Sequence, residues 1–483
     1  MKKILLAILL LIILLVAIIL VRTFTFTSSD EKVDLISPYP IPEMAIERLE
    51  EAISIRTISF EDEADFDSTQ FQKFNEFLAK NYPLLHEQSE HKVFSNFSHL
   101  YTIEGKSSNQ EPILLMAHLD VVPIASPALW SVHPFTEGVK NDTIYGRGCI
   151  DDKSSLVSLL EAIEQLLSEG FEPQRTVYIS LGHDEEIGGK RGAVEIASYL
   201  KEKDVHFAFV LDEGGALTRG MIPGIDKHTG LIGIAEKGSV SLELEVLMSG
   251  GHSSRPEKET AIDVLAEAVS TLKKNPFPKK ITPVLDRFLD EAGPHMNFTS
   301  KMAMANRWLF KPVLLNQYEK TSVGNASIRT TTAPTIFNAG VKENVIPTIA
   351  SAVVNFRILP GETVESTIKQ VEDILDDDRV SVNAKEGGTN PSAISSIDGE
   401  EYKVLTHTIK SIYPDVLTIP NLVIGGTDSR HFTDLSTNIY RFLPVTISPQ
   451  NIECFHGIDE RIGIDEYENA IRFYRQIFLN FNK

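Results

Sequence analysis

The stretch ILLMAHLD, residues 113–120, is a short apolar run that ends in a histidine and an aspartate. Its length and apolar character are typical of a strand buried on both faces of a parallel sheet. TVYISLGHDEE (176–186) and FAFVLDEGG (207–215) share this design, an apolar run followed by polar residues. Between the first two stretches, apolar residues recur at helical spacing over 153–169 and stop at Gly170. This alternation predicts an α/β domain in which helices flank a mostly parallel sheet.

A different pattern begins near residue 238. SVSLELEVLMS (239–249) alternates with period two, as an antiparallel strand with one solvated face does. Further alternating strands and amphipathic helices follow at 261–274, 332–340, 349–358 and 363–375. We therefore predict an α+β lid domain at 237–388, inserted between two parts of the α/β domain at 43–236 and 389–483.

The N-terminus carries a membrane-targeting signal. Lys2 and Lys3 precede an uninterrupted apolar run over residues 4–21, and Arg22 follows it. A run of about 18 apolar residues is enough to span a bilayer as a helix. Because the two lysines and the amino terminus outweigh Arg22, a cytoplasmic N-terminus and an exported body are favoured. We predict a single-pass anchor in the cell membrane with a tether over 23–42; the alternative is a signal peptide whose cleavage gives a secreted protein.

The charge balance excludes one class of partner. The chain of 483 residues has 67 acidic and 46 basic residues, for a formal net charge of −21 at pH 7. Nucleic acids repel such a surface, so no nucleic-acid partner is expected. Part of the acidic excess is accounted for if carboxylates bind divalent cations.

Polar side chains collect at the ends of the predicted strands. They are His118 and Asp120; Asp184, Glu185 and Glu186; Asp212 and Glu213; and, in the turn after IYGRG, Asp151 and Asp152. The carboxyl ends of parallel strands face one crevice, where so many carboxylates would repel one another without cations. Taken singly, each cluster is as well explained by a turn, a helix cap or an acidic loop. Together they predict a divalent-metal site, and histidine with carboxylates suits zinc.

Seven motifs occur in the order found in one enzyme family. They are MAHLDVVP, WSVHPFTEGVKNDTIYGRGCIDDKSS, SLGHDEEIGG, FVLDEGG, SGGHSSRP, NVIP and CFHGIDERI. On these motifs the chain resembles the aminoacylase/carboxypeptidase family of di-zinc exopeptidases, which includes acetylornithine deacetylases and succinyl-diaminopimelate desuccinylases. Within that family it is most similar to the branch of carboxypeptidase S and secreted N-fatty-acyl-amino-acid hydrolases. The resemblance implies a zinc-exopeptidase fold, a lid of the type that forms homodimers in some branches, and two Zn²⁺ ions, with Co²⁺ or Mn²⁺ as alternatives.

The resemblance also implies roles for single residues. The metal ligands would be His118, Asp151 as the bridge, Glu186, Asp212 and His456, with Glu213 as the alternative to Asp212. The catalytic residues would be Glu185 as general base, Asp120, which orients His118, and His252 of the lid, which stabilises the tetrahedral oxyanion. The polar end of the substrate would be bound by Asn344, Arg357 and Arg430. The link between Asp151 and Asp152 would be a cis peptide.

These roles imply a hydrolase that cleaves the amide bond next to a C-terminal amino acid with a free carboxylate. Its substrate would be a small peptide, as for a carboxypeptidase, or an N-acyl amino acid, as for an aminoacylase. The alternatives are a di- or tripeptide aminopeptidase of the same fold and, with weaker support, a non-catalytic binding module. The segment 277–330 exceeds a minimal lid; it either packs over the lid sheet or lines an acyl pocket through Met302, Met304, Trp308 and Phe310.

Overall fold

The computed structural model describes residues 1–28, 33–37, 39–107, 109–136 and 138–482. Helix α1 (Lys2–Thr25) contains the predicted anchor and continues into the predicted tether. It is long and apolar enough to cross a membrane. The positions 29–32 and 38 of the predicted tether lie outside the described residues.

The strands fall into one large sheet and three smaller ones. In chain order they are β1 (Glu90–Phe94), β2 (Ser98–Ile103), β3 (Ile113–His118), β4 (Thr143–Tyr145), β5 (Val177–Gly182), β6 (Phe209–Thr218), β7 (Thr229–Glu236), β8 (Gly238–Leu247), β9 (Gly251–His252), β10 (Thr331–Ala339), β11 (Val345–Ile346), β12 (Ile349–Ile358), β13 (Val380–Ala384), β14 (Leu417–Val423), β15 (Ile439–Ile447) and β16 (Arg461–Gly463). The large sheet has the order β1-β2-β5-β3-β6-β15-β7-β14. Its pairs β3–β5, β3–β6, β6–β15 and β7–β14 are parallel, whereas β1–β2 and β2–β5 are antiparallel. The sheet is therefore mixed, with parallel pairs at its centre.

Helices cover both faces of this sheet. In chain order after α1, the helices of the described residues, including those of the lid, are α2 (Glu43–Ser54), α3 (Ser68–Asn81), α4 (Pro83–Gln88), α5 (Lys153–Ser168), α6 (Ala193–Glu202), α7 (Ala261–Lys274), α8 (Pro283–Ala292), α9 (Phe298–Ala305), α10 (Arg307–Tyr318), α11 (Ser322–Ile328), α12 (Val364–Leu375), α13 (Glu400–Ile412) and α14 (Ile464–Phe481). Alternate residues of β3 enter different cores. Ile113 and Leu115 pack with α5 and α14, and Leu114 and Met116 pack with α6. Burial on both faces is why this strand is apolar throughout.

The lid sheet is antiparallel, in the order β10-β12-β8-β13. Along β8 buried and partly exposed residues alternate, as the period-two pattern predicts. The buried side chains of β8 pack against α7 and α12, for example Leu242 and Leu244 against Leu265 and Val371. The strands of this sheet run from β8 to β13, inside the segment 237–388 that we propose as the inserted domain.

Candidate metal centre

Two groups of side chains meet at the carboxyl ends of β3, β5 and β6. In the first group, His118, Asp151 and Glu213 each bring a ligand atom within 4.8 Å of the others, and in the second group Asp151, Glu186 and His456 do the same. His118 ends β3, Glu186 lies in the turn after β5, and Glu213 lies on β6. Asp151 comes just before α5 and belongs to both groups.

The carboxylate of Asp151 lies between two histidines. Its Oδ1 is 2.8 Å from His118 Nε2, and its Oδ2 is 2.7 Å from His456 Nε2. Glu213 Oε1 lies 3.5 Å from His118 Nε2, and Glu186 Oε1 lies 3.4 Å from His456 Nε2. Each oxygen of Asp151 therefore has its own histidine and its own glutamate beside it. Imidazole and carboxylate together are a donor set that fits zinc or a similar divalent ion.

The electrostatics of the two groups favour added positive charge. Burial raises the pKa of Glu213 well above its ordinary value, and the charge of Asp151 raises it further. Burial also raises the pKa of Glu186, although a hydrogen bond with His456 opposes this. Hydrogen bonds with Asp151 and Glu186 raise the pKa of His456 to about 10. A divalent cation is the charge that would relieve this repulsion.

Asp120 positions the first histidine and the glutamate turn together. It is fully buried, and its backbone carbonyl faces His118 Nδ1 at 3.0 Å. Its carboxylate accepts hydrogen bonds from Ser59 Oγ at 2.6 Å and from the backbone N–H groups of Glu185 and Glu186 at 3.1 and 3.2 Å. Contacts of this kind fix the orientation of a metal-binding imidazole.

Arg147 and Glu460 join the two loops that carry Asp151 and His456. Glu460 Oε1 accepts the N–H groups of Ile150 and Asp151 at 2.7 and 3.1 Å, and its Oε2 accepts Arg147 Nη1 at 2.6 Å. Arg147 Nη2 donates to the carbonyl of His456 at 3.1 Å. Both side chains are buried. The sequence analysis did not single them out, although they lie within the motifs IYGRG and CFHGIDERI.

The two adjacent aspartates have different surroundings. Asp152 is the residue that precedes α5, yet its side chain makes no capping hydrogen bond with the helix. Instead its Oδ2 accepts the backbone N–H of His118 at 3.2 Å. The peptide bond between Asp151 and Asp152 is cis, as the family resemblance implies.

The structure brings Glu213 rather than Asp212 to the first group. Asp212, the ligand favoured from the sequence, accepts the N–H of Ser429 at 2.7 Å and the N–H of Glu213 at 3.0 Å. Successive side chains of a strand point to opposite faces, so only one of this pair on β6 can face His118. We therefore replace Asp212 by Glu213 as the proposed ligand.

Glu185 lies beside both groups without belonging to either. It occupies the same short turn as Glu186. Loss of contact with bulk water raises the pKa of Glu185 well above its ordinary value; the positive charge of His118 opposes this, and the negative charge of Glu213 adds to it. Its carboxyl group is thus close to the proposed ligands but outside both groups.

The two candidate site residues at β9 and β11 of the lid, His252 and Asn344, lie on the protein surface. His252 is exposed on β9, where its Nδ1 lies 2.8 Å from Ser254 Oγ, and Asn344 is exposed just before β11. The short strands β9 and β11 pair with each other, Val345 opposite His252. Among the described residues, no hydrogen bond or ion pair joins His252 or Asn344 to the metal groups.

Two arginines approach each other near the glutamate turn. Arg357 lies on β12, and partial burial together with the positive charge of Arg430 lowers its pKa. The guanidinium of Arg430 lies close to Gly188, so that a Cβ added there would be 3.8 Å from Arg430 Nη2. Gly188 directly follows the turn of Glu185 and Glu186. Arg430 thus lies beside the glutamate turn, and Arg357 is near enough to Arg430 to sense its charge.

Asp428 is a further acidic residue that the sequence analysis did not select. It is buried, and its Oδ1 has no hydrogen-bond partner among the described residues. Burial and the charge of Asp212 raise its pKa well above the ordinary value. Its position in GGTDSRH, beside Arg430, was the available signal.

Within the segment 277–330, two of the residues named for an acyl pocket, Met304 and Trp308, have different surroundings. Met304 is buried in a small core with Leu285, Leu289, Leu314, Leu315 and Ile328. Trp308 points to solvent and is 56% exposed. The helices α8 to α11 therefore make a core of their own.

Known proteins share both the sequence and the fold. The sequence model described as Peptidase family M20/M25/M40 matches residues 114–480. A probable carboxypeptidase S-like 2 of Dictyostelium discoideum is 38% identical over 476 residues, covering 96% of this chain and 92% of that protein. An N-fatty-acyl-amino acid synthase/hydrolase of Homo sapiens is 41% identical over 444 residues, covering 90% and 87%. The crystal structure of an M20 family metallo-carboxypeptidase from Sulfolobus solfataricus is similar with a TM-score of 0.66 at 20% identity, over 92% of this chain and 100% of that one.

Proposed function

The chain belongs to peptidase family M20/M25/M40, and from this premise we propose that it hydrolyses the amide bond next to a C-terminal amino acid with a free carboxylate. The family relationship predicted from the motifs is confirmed, and with it a hydrolase of the metallocarboxypeptidase and N-acyl-amino-acid hydrolase type. The observation that carries the proposal is the position of Asp151 between His118 and His456.

We propose two divalent cations at this site, Zn²⁺ by ligand type. His118, Asp151 and Glu213 would hold one, and Asp151, Glu186 and His456 the other. The position of the buried Glu186 Oε1, which faces His456 Nε2 at 3.4 Å, supports a ligand role. When bound, such ions supply a Lewis acid for the substrate carbonyl and a nucleophilic water near neutral pH.

Glu185 is the proposed general base. Its side chain is outside both ligand groups, and its backbone N–H is held by Asp120. From there the carboxylate takes a proton from the attacking water and gives it to the nitrogen of the leaving amine. The amide C–N bond breaks, and a carboxylic acid and an amino acid with a free amine result.

Arg357 and Arg430 are the proposed partners of the substrate carboxylate. The positive charge of Arg430 lowers the pKa of Arg357, and two guanidinium groups that repel each other in this way are suited to share one anion by charge-assisted hydrogen bonds. This pair favours a substrate carboxylate over a substrate amine, and so favours the carboxypeptidase or aminoacylase reaction over an aminopeptidase. Peptides and N-acyl amino acids both satisfy this requirement.

The lid must move, or a second subunit must contribute, if His252 is to act. Its exposed position supports the proposal that it reaches the oxyanion after lid closure or from a neighbouring subunit. A homodimer through the lid would use β10, an exposed edge strand that displays Ile336 and Phe337. Unpaired edge strands with apolar side chains are ready to pair with another chain.

The test is a substrate series with the full-length chain in detergent and added Zn²⁺. Dipeptides and N-acyl amino acids are each offered with a free and with an amidated C-terminus. We expect amidation to lower kcat/KM by roughly 10-fold or more, because a hydrogen bond to a charged group contributes about 1.5–3 kcal/mol. Equal cleavage of amidated dipeptides, abolished by N-acylation, would instead show an aminopeptidase.

A further inference from the structure

The end of α1 is docked on the body of the protein. Of residues 1–26, only Ile19, Thr23 and Phe26 lose substantial exposure. Their spacing puts them on one face of the last two turns of the helix and the residue beyond it. The remainder of α1 stands clear of the body. The contact surface opposite it is the segment that contains α9 and α10.

Both polar and apolar groups make this contact. Asn306 Nδ2 donates to the carbonyl of Ile19 at 3.2 Å and to Thr23 Oγ1 at 3.3 Å. Arg22 Nε donates to the carbonyl of Ala305 at 3.2 Å. The rings of Phe24 and Phe298 lie 5.9 Å apart. The predicted tether therefore begins as a structured connection rather than as a free linker.

The contact lies at the level where α1 would leave a bilayer. A hydrocarbon core of about 30 Å needs about 20 helical residues at about 1.5 Å each. Counted from Ile4, such a span ends near Thr23, the residue that Asn306 contacts. The parts of α9 and α10 next to Asn306 consequently lie at the membrane surface on the exported side.

The solvent face of α10 is apolar at this level. Trp308, Leu309 and Val313 are 56%, 40% and 61% exposed. Pro312 is exposed as well, whereas Leu314 and Leu315 in the following turn are buried. Phe298 at the start of α9 is 51% exposed. We call Phe298, Trp308, Leu309, Pro312 and Val313 the docking patch.

We propose that the docking patch inserts into the headgroup region of the same bilayer that α1 spans, so that α1, α9 and α10 form one membrane-binding unit. Aromatic side chains are stable at this depth, where one end of the ring is apolar and the other is wet. Insertion is driven by apolar burial, because a chain with net charge −21 has no general attraction for anionic lipids. The proposal rests on α1 remaining in the mature protein and not on the proposed activity.

The chain's two tryptophans provide the test. Trp130 is buried, with the guanidinium of Arg147 5.4 Å from its ring centre, whereas Trp308 belongs to the docking patch. The full-length variants W130F and W308F each keep one tryptophan. They are reconstituted in phosphatidylcholine vesicles brominated on the acyl chain near the headgroup. We expect quenching of Trp308 emission by roughly half or more, since interfacial indoles lie within contact of these bromines, and little quenching of Trp130.

High salt tests whether the insertion is apolar rather than electrostatic, and a second variant tests whether it depends on the docking patch. Quenching of Trp308 should persist at about 1 M salt, where the Debye length is only about 3 Å. In the W130F background, L309S/V313S should reduce it while hydrolysis of a water-soluble substrate shows that the protein is folded. An unquenched, water-exposed Trp308 would overturn the proposal. A blue-shifted but unquenched Trp308 would also overturn it and would indicate a second copy of the chain on the docking patch. A mature N-terminus that begins after α1 would overturn it as well.

Discussion

The metal groups and the lid residues are held in very different ways. The proposed ligands His118 and Asp151 are held by buried partners, Asp120 behind His118 and Glu460 behind Asp151. His252 and Asn344 of the lid are exposed and have no contact with the site among the described residues. The difference is what we expect if, as proposed, a preorganised centre performs the reaction and a movable lid binds and orients the substrate.

The largest effect on activity is expected from replacing Glu185, the proposed general base. In E185Q, loss of the proton acceptor should lower kcat by about 10²–10⁴-fold, with the bound metal unchanged. Steady-state kinetics and metal analysis of the same preparation check this. E453Q is the matched control, because Glu453 is an exposed carboxylate on the loop of His456. Metal loss in E185Q would make Glu185 a ligand instead.

The next variant weakens the contacts that hold the backbone of Asp151 and leaves every proposed metal ligand unchanged. E460Q keeps the size of the side chain but weakens its bonds with Arg147 and with the N–H groups of Ile150 and Asp151. Loss of such supporting contacts should weaken metal affinity by about 10–100-fold, with kcat at saturating Zn²⁺ largely retained. Competition with a chelator measures the affinity. If affinity is unchanged, Glu460 stabilises the fold alone.

A lid variant should show the opposite pattern. R357K keeps the charge but loses the planar fork that binds a carboxylate bidentately. We expect KM to rise by roughly 10-fold, the loss of about one charge-assisted hydrogen bond, while metal affinity stays that of the unmodified chain. A fall in metal affinity would contradict the separation of a fixed centre from a binding lid.

The smallest expected effect is a dependence of stability on pH. It concerns His91 and His99, which belong neither to the proposed metal centre nor to the lid. Burial lowers the pKa of His91 to about 4 and of His99 to about 3. The neutral rings hydrogen-bond to each other at 2.9 Å, and His99 Nε2 faces Asn75 Oδ1 at 2.9 Å. Because the unfolded state binds these protons below about pH 6.5, stability is full above that pH and falls as pH decreases toward the folded-state values.

Between pH 7 and pH 5 the loss should be about 2–3 kcal/mol, after allowance for the partial exposure of His91. Denaturant unfolding at the two pH values measures it. H91Q should flatten the dependence. An unchanged pH dependence in H91Q would assign the loss of stability to other titrating groups.

The strand ends were the most predictable part of the molecule. β3, β5 and β6 are buried on both faces, so their sequences are continuous apolar runs, and their carboxyl ends lie together because they pair in parallel. The choice between Asp212 and Glu213 was not predictable. It depends on which face of β6 points to His118, and a strand apolar on both faces has no alternation from which to read its register.

Contacts between distant parts of the chain were also beyond the sequence. Arg147 and Glu460 are 313 residues apart, and no local pattern pairs them. The docking of Asn306 on α1 is similar, because an apolar run predicts a span but not what packs against its end. The sequence grouped Met302, Met304, Trp308 and Phe310 as apolar, but only the fold distinguishes Met304, which is buried in a small core, from Trp308, which is exposed.

The pairing of Arg147 with Glu460 has a consequence for the order in which the protein is made. The second metal group needs His456, and the backbone of Asp151 is held by Glu460, so both depend on residues within the last 28 of the chain. Helix α14, which follows them, packs against α5 beside Asp151. A ribosome must therefore finish nearly the whole polypeptide before the centre can exist. Products of premature termination that end before His456 would therefore lack the complete proposed centre.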